Sequence, residues 1–193
     1  MDNYEYITAC LPVLNQDDKN MSALDADAVV EEIREQLSDR DKATLQLLLD
    51  GYDPGKLGEE FYRKALASGN SFIRGYFRCD LDMRNTRVAF INKAFGRPET
   101  QDMVIPDGEE FEPDADTEAA LATDNLLDRE RALDDITWKK VEELTQMHVF
   151  DLDLILGFVV KLKTIERWLK LDPETGHQLF RQLVQEIRNT NIS

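Results

Sequence analysis

The chain has 193 residues and a formal net charge of −16 at pH 7, with 42% hydrophobic and 32% charged residues. This length is sufficient for a folded core, and the composition is typical of a globular protein rather than a disordered one. The acidic charge argues against a nucleic-acid-binding protein, because the chain would repel phosphates.

Cysteine content and the N-terminal sequence indicate the compartment. The two cysteines, Cys10 and Cys79, are far apart in sequence, and the N-terminus lacks the basic start and apolar run of a signal peptide. The densest apolar run, 154–160, is much shorter than the ~20 residues that a membrane-spanning helix needs. We therefore expect a cytoplasmic protein that reaches a membrane only through a partner.

The N-terminal part of the chain has helical periodicity. Residues 4–11 form an apolar segment that is either a short helix or a strand. A helix is predicted from Ser22–Asp25 to Leu37, a second from 39 or 41 to 50, and a third over 57–67. Gly51 is predicted to end the second of these helices in the left-handed conformation.

Residues 71–96 predict one long amphipathic helix. Its apolar row is Ile73, Phe77, Leu81, Val88, Ile91 and Phe95. Its polar side collects four arginines that we predict to dock a partner protein, namely Arg74, Arg78, Arg84 and Arg87. Arg84 interrupts the apolar row, so it either pairs with Asp80 four residues earlier or meets a carboxylate of the partner.

An acidic loop is predicted to follow this helix, over residues 99–115. Residues 107–118 hold seven acids and no base, which is typical either of a solvated loop or of a binding arm for a basic partner. A helix or a broken helix pair is then predicted over 117–147, with Leu126, Leu133, Ile136, Val141 and Leu144 facing inward.

The C-terminal part predicts two more helices. Asp151 is expected to cap a helix that runs to about Leu171, with a first half buried on all sides. The second half of that helix is expected to expose Lys161, Lys163, Arg167 and Lys170. Asp172 and Pro173 start a final helix with the apolar stripe Leu179, Phe180, Leu183, Val184 and Ile187.

These patterns predict an all-α fold, a multi-helix bundle. It forms either a single helical domain over 1–193 or two small helical lobes, 1–98 and 116–193, joined by the acidic loop 99–115.

Few residue patterns indicate catalysis. Residues 51–57 lack the glycine spacing, the Ser or Thr after the lysine and the preceding strand of a phosphate-binding loop. Glu174 and His177 form one Glu-x-x-His pair, whereas a di-metal site in a helical bundle needs two.

His148 is predicted to be a packed, hydrogen-bonded ring. We predict no catalytic residue, cofactor or metal. A helical carboxylate metalloenzyme that uses His148 or His177 is an alternative.

Several sequence segments carry a resemblance to a known family. They are Tyr4–Pro12, Phe77–Arg87 continuing to Lys93, Arg129–Asp134 with Trp138, Phe150–Asp151 leading into Lys161–Trp168, and Leu171–Asp172 with Gly176 and Phe180. Through them the chain resembles a bacterial family of small proteins of unassigned function. That family is itself similar to the C-type stalk component, called d-type in eukaryotes, of the V/A-type rotary ATPases.

The resemblance implies a non-catalytic central-stalk component of a V-type ATPase. The C-type component is a helical socket that transmits torque between the rotating shaft, built from D-type and F-type proteins, and the membrane-embedded proteolipid ring. The implied partners are therefore D/F-like shaft subunits and the proteolipid ring, and the implied location is cytoplasmic, peripheral to the inner membrane through the complex. The usual C-type component has three helical lobes, so this chain would be a shortened form. A second hypothesis is a free-standing acidic helical adaptor that binds a basic partner through residues 107–118.

Overall fold

A computed structural model describes residues 4–16, 25–106 and 110–170. Within these ranges the chain forms helices and no strand, so the all-α prediction is confirmed. The helices are α1 (Glu5–Cys10), α2 (Ala26–Gln36), α3 (Asp39–Asp50), α4 (Glu59–Leu66), α5 (Ser71–Ala94), α6 (Ala115–Leu121), α7 (Leu126–Thr145) and α8 (Leu152–Lys170). The final helix predicted after Asp172, including His177, lies outside the described residues.

Side-chain caps determine where several helices begin. Asp25 accepts hydrogen bonds from the backbone N–H groups of Asp27 and Ala28, 3.1 and 3.2 Å away, at the start of α2. Asn70 accepts from the N–H of Ile73 at 2.8 Å and starts α5. Asp151 accepts from the N–H of Leu154 at 3.2 Å, as the sequence predicts for α8. Each cap satisfies a donor that has no partner inside its helix.

Helix α8 lies at the centre of the fold. Every residue from Leu152 to Val160 except Leu154 is buried, which confirms the prediction of a helix covered on all sides. The hydrophobic cluster around it draws on α1 to α5 and on α7. The division into lobes 1–98 and 116–193 stays a prediction. None of the helices in the described ranges combines the length and the apolar composition that crossing a membrane requires.

Two glycines allow the long helices α5, α7 and α8 to approach each other closely. A Cβ atom on Gly75 of α5 would lie 2.6 Å from Cδ2 of Leu144 in α7. A Cβ atom on Gly157 of α8 would lie 2.5 Å from Cγ2 of Thr145 in α7. Such distances are too short for real carbon atoms, so a larger residue at either crossing would require the contacting side chain of α7 or the helix itself to move.

The predicted role of Gly51 is wrong. Its φ is −67°, in the right-handed helical region, rather than positive. A Cβ atom at this position would lie 2.5 Å from Cε1 of Phe77. Gly51 therefore provides space for the Phe77 ring at the end of α3, and no left-handed turn is involved.

The predicted apolar row of α5 is correct only in its first half. Ile91 is 44% exposed and Phe95 is 71% exposed. The second half of α5 instead buries Asn85, Thr86, Ala89 and Asn92. The two asparagines bind the loop that follows α5. The side-chain amide of Asn85 donates to the Val104 carbonyl at 2.8 Å. The side-chain amide of Asn92 donates to the Gln101 carbonyl at 2.8 Å.

The predicted loop and broken helix pair are confirmed in the described ranges. Residues 97–106 and 110–114 contain no helix, and α6 and α7 are separated by a short turn. Leu133 and Val141 are buried as predicted, but Leu126 is 65% exposed. Leu126 is the first residue of α7, so the inward-facing row of this helix begins only after its first turn.

Candidate functional site

An open groove of about 700 Å³ lies between α5, α7 and α8 and extends to the turn after α3. We call it the α5–α7–α8 groove. Its charged lining residues are Asp80, Arg84 and Arg87 of α5, Glu130 and Asp134 of α7, and Lys163, Glu166, Arg167 and Lys170 of α8. Five of these side chains are cationic and four are carboxylates. The groove is therefore locally cationic, although the whole chain carries a charge of −16.

Ion pairs connect the three helices across this groove. The Nη2 atom of Arg87 lies 3.0 Å from Oε1 of Glu130. Arg167 donates to Asp134, and its Nη1 atom lies 3.9 Å from Oε2 of Glu130. The side chains of Arg87 and Arg167 are 45% and 47% exposed. The Arg87–Glu130 pair is exposed and contributes little to stability, so Arg87 can exchange partners at low cost. The side chain of Asp134 is only 12% exposed, so loss of Arg167 would leave a buried carboxylate without its cation.

Asp134 is the most buried charged side chain in the groove, at 8% exposure. Its Oδ2 atom accepts a hydrogen bond from Nε1 of Trp168 at 2.5 Å as well as the bond from Arg167. Burial raises the pKa of Asp134, while the charge of Arg167 and the two hydrogen bonds oppose that rise. The guanidinium carbon of Arg131 lies 4.0 Å from the centre of the Trp168 ring. The indole is thereby fixed beside the groove.

Asp80 lies at the other side of the groove. The hydroxyl of Tyr62 donates to its Oδ2 atom at 2.6 Å. Burial raises the pKa of Asp80, and the Tyr62 hydrogen bond and the Arg84 charge lower it to a smaller extent. The guanidinium carbon of Arg84 lies 6.0 Å from the centre of the Tyr62 ring. Arg84 therefore acts on Asp80 through its charge, and it also lines the open groove. Its ion pair with Asp80 and its pairing with a carboxylate of a partner both stay predictions.

The raised pKa of Asp80 predicts a pH dependence of stability. The carboxyl group of Asp80 keeps its proton to higher pH in the folded protein than in the unfolded chain. The contribution of Asp80 to the free energy of unfolding therefore falls as pH rises above 3.8, the ordinary pKa of an aspartate. We expect the free energy of unfolding of the Asp80→Asn variant to increase relative to that of the wild type as pH rises from about 4 to about 7. Urea unfolding of both proteins across this range measures the difference.

Asp50 provides a matched control of opposite sign. Lys56 binds Asp50 at 2.7 Å, and this hydrogen bond lowers the pKa of Asp50. The stabilisation that Asp50 provides is present above the pKa that it has in the unfolded chain, and it is lost as pH falls. The free energy of unfolding of Asp50→Asn should therefore decrease relative to that of the wild type as pH rises. If the two variants shifted in the same direction, the assignment for Asp80 would be wrong.

The four arginines predicted to dock a partner do not form one patch. Arg84 and Arg87 line the α5–α7–α8 groove. Arg78 lines a second cavity of about 340 Å³ on another side of α5, together with Cys79. Arg74 donates to the backbone carbonyl of Ser68 at 2.5 Å. Only two of the four therefore share one concave surface.

Sequence patterns do not identify the α8 side of the groove. Periodicity places Lys163 outside, but its side chain is 15% exposed and its Nζ atom lies 2.6 Å from Oδ1 of Asp27 in α2. Asp134 and Trp168 meet across 34 residues of sequence. The family resemblance of the segment from Lys161 to Trp168 is the signal in the sequence that points to this side.

His148 is a hydrogen-bonded ring, as predicted. Its Nδ1 atom lies 2.6 Å from Oδ2 of Asp151, and its Nε2 atom lies 3.8 Å from Oδ2 of Asp153. Across residues 4–16, 25–106 and 110–170, no group of three or more His, Cys, Asp or Glu side chains is placed to hold a metal ion. Burial raises the pKa of Cys79 to about 11, so its thiol is protonated at neutral pH.

Comparison with known proteins gives one match. Residues 107–191 are similar to a family described as "Protein of unknown function (DUF2764)". This range contains α6, α7 and α8 and continues past Lys170. The comparisons with curated proteins and with solved structures gave no match.

Proposed function

We propose that the protein is a non-catalytic coupling component of a V/A-type rotary ATPase, similar to the C-type stalk component, and that its α5–α7–α8 groove docks a partner subunit. One observation carries the proposal. Three segments that carry the family resemblance, Phe77–Arg87, Arg129–Asp134 and Lys161–Trp168, are far apart in the sequence, and side chains from all three line this groove. A surface built from these segments is the natural place for the function that the resemblance implies.

The chemistry of the groove suits a helix of a partner protein. Apolar side chains, including Met83, Val88 and Ile91, lie on the α5 side, and charged side chains surround them. Amphipathic helices bind grooves of this kind through an apolar face, while charged residues at the edge select the partner and its register. The surplus of cations favours a helix with carboxylates along its sides.

The helices around the groove also suit a mechanical part. Helix α8 is buried over its first half, and α5 and α8 approach α7 closely at Gly75 and Gly157, where an added Cβ atom would lie 2.6 and 2.5 Å from side chains of α7. Close-packed interiors have low compressibility and transmit displacement with little loss. A torque-transmitting socket needs this property.

Binding to purified shaft subunits tests the proposal. We expect the protein to bind the D/F-like subcomplex of the same organism in isothermal titration calorimetry. Arg84→Gln/Arg87→Gln should weaken binding about tenfold, because it removes two cations from the groove. Arg40→Gln/Arg63→Gln is the matched control, since it removes the same charge from exposed positions on α3 and α4 and should leave the affinity unchanged.

Two results would overturn the proposal: no binding of the wild-type protein to the shaft subunits, or equal losses in the groove variant and in its control. The acidic-adaptor hypothesis makes a different prediction. Neutralising Asp107, Glu109, Glu110 and Glu112 with Asn or Gln should abolish binding by an adaptor. A protein that docks through the groove should retain its affinity for the shaft subcomplex.

A further inference from the structure

Glu130 of α7 lies between two arginines from two other helices. Its Oε1 atom lies 3.0 Å from Nη2 of Arg87 in α5, and its Oε2 atom lies 3.9 Å from Nη1 of Arg167 in α8. All three side chains line the α5–α7–α8 groove. Because the two oxygens of one carboxylate face two different cations, Glu130 can lose one arginine and still have the other within reach.

The two arginines differ in what each would leave behind. Arg167 also donates a hydrogen bond to Asp134, whose side chain is only 12% exposed. Removal of Arg167 would leave that buried carboxylate without its cation, which is strongly unfavourable. The side chains of Arg87 and Glu130 are 45% and 31% exposed, and such a pair contributes little to stability. Arg87 is therefore the arginine that can leave Glu130, and Arg167 is the one that stays.

Arg84 provides a second guanidinium beside Arg87. The two residues are three apart on α5, a spacing that places side chains next to each other on a helix surface, and both line the groove. The guanidinium carbon of Arg84 lies 6.0 Å from the centre of the Tyr62 ring, so this buried ring helps to hold the Arg84 side chain. Arginines bind carboxylates through paired hydrogen bonds, so Arg84 and Arg87 together suit one carboxylate of a docked helix.

Building on the proposed function, we propose that Glu130 competes with the docking partner for Arg87. In the free protein Glu130 binds Arg87, and in the complex a carboxylate of the partner takes its place and binds Arg87 and Arg84 together. Glu130 then pairs with Arg167, whose guanidinium already lies 3.9 Å from its second oxygen. Asp134 keeps its hydrogen bond from Arg167, so the exchange leaves neither carboxylate without a cation.

Isothermal titration calorimetry of the full-length protein with the D/F-like subcomplex tests the competition. Glu130→Gln preserves the shape of the side chain and removes its charge. We expect this variant to bind about fivefold more tightly than the wild type, because the partner no longer has to displace an exposed ion pair. Glu142→Gln is the matched control. Glu142 pairs with Lys161 of α8 at 3.1 Å, outside the groove, so its substitution should leave the affinity unchanged.

A double-mutant cycle separates competition for Arg87 from a general effect of charge. In the Arg87→Gln background Glu130 has no guanidinium of Arg87 to occupy, so Glu130→Gln should change the affinity by less than about twofold. A general electrostatic effect would instead give the same gain in both backgrounds. Equal gains would overturn the proposal.

Two further outcomes separate a failure of the competition from a failure of the proposed function. Unchanged or weaker binding of Glu130→Gln would overturn the competition, while the groove would remain the docking site if Arg84→Gln/Arg87→Gln still weakened binding. Failure of the wild-type protein to bind the shaft subcomplex would overturn the competition together with the proposed function.

Discussion

Replacement of Phe77 by alanine is expected to lower the free energy of unfolding by about 3–5 kcal/mol. The ring of Phe77 is 1% exposed and makes edge-to-face contacts with Phe61 and Tyr76, at centroid distances of 4.9 and 5.0 Å. It also occupies the space that Gly51 leaves at the end of α3. The substitution would leave a cavity between α3, α4 and α5. Urea unfolding at neutral pH measures the loss.

Phe90 provides the control for this prediction. It lies on the same helix and is 38% exposed, so Phe90→Ala should cost only about 1 kcal/mol, because less surface is returned to water. Similar losses for Phe77→Ala and Phe90→Ala would contradict the assignment of Phe77 to the core.

Gly157→Ala is expected to destabilise the protein by about 2 kcal/mol, although alanine is the better helix former. The added methyl group would lie 2.5 Å from Cγ2 of Thr145 and 3.2 Å from Cγ1 of Val141. Both neighbours are β-branched, and the hydroxyl of Thr145 donates to the Val141 carbonyl at 2.8 Å, which fixes its rotamer. The two helices must therefore separate. Thermal and urea unfolding measure the effect.

Gly75→Ala is the matched control for Gly157→Ala. Its methyl group would meet the terminal methyl groups of Leu144, at 2.6 and 3.3 Å. Leu144 is only partly buried, so its side chain can rotate away, and the gain in helix propensity of about 1 kcal/mol offsets much of the cost. If Gly75→Ala were the more destabilising substitution, the α7–α8 crossing would not be the tighter of the two contacts.

Helical periodicity is sufficient to predict the fold class and most of the helices. The apolar run from Leu154 to Val160 identifies α8 as the central helix, and capping residues such as Asp151 locate helix starts. The same reasoning fails in the second half of α5. There, Asn85 and Asn92 are buried because they bind backbone groups of the following loop. A hydrophobic pattern assigns asparagine to the solvent side and contains no information about such a contact.

Only part of the groove can be predicted from the sequence. Arg84 and Arg87 are identified because an excess of cations on one helix of an acidic chain is a local signal. The carboxylates across the groove, Glu130 and Asp134, depend on how α7 and α8 cross α5. Crossing geometry is set by close contacts such as those at Gly75 and Gly157, which periodicity does not encode.

The position of Trp168 has a practical consequence for studies of the groove. The chain has two tryptophans, and the indole of this one binds Asp134 and stacks under the Arg131 guanidinium. Indole fluorescence responds to nearby charge and to hydrogen bonding, so any molecule that rearranges the Asp134–Arg167 pair also alters the emission of Trp168. The protein thus contains an intrinsic optical probe of groove occupancy, and Trp168→Phe separates its signal from that of Trp138.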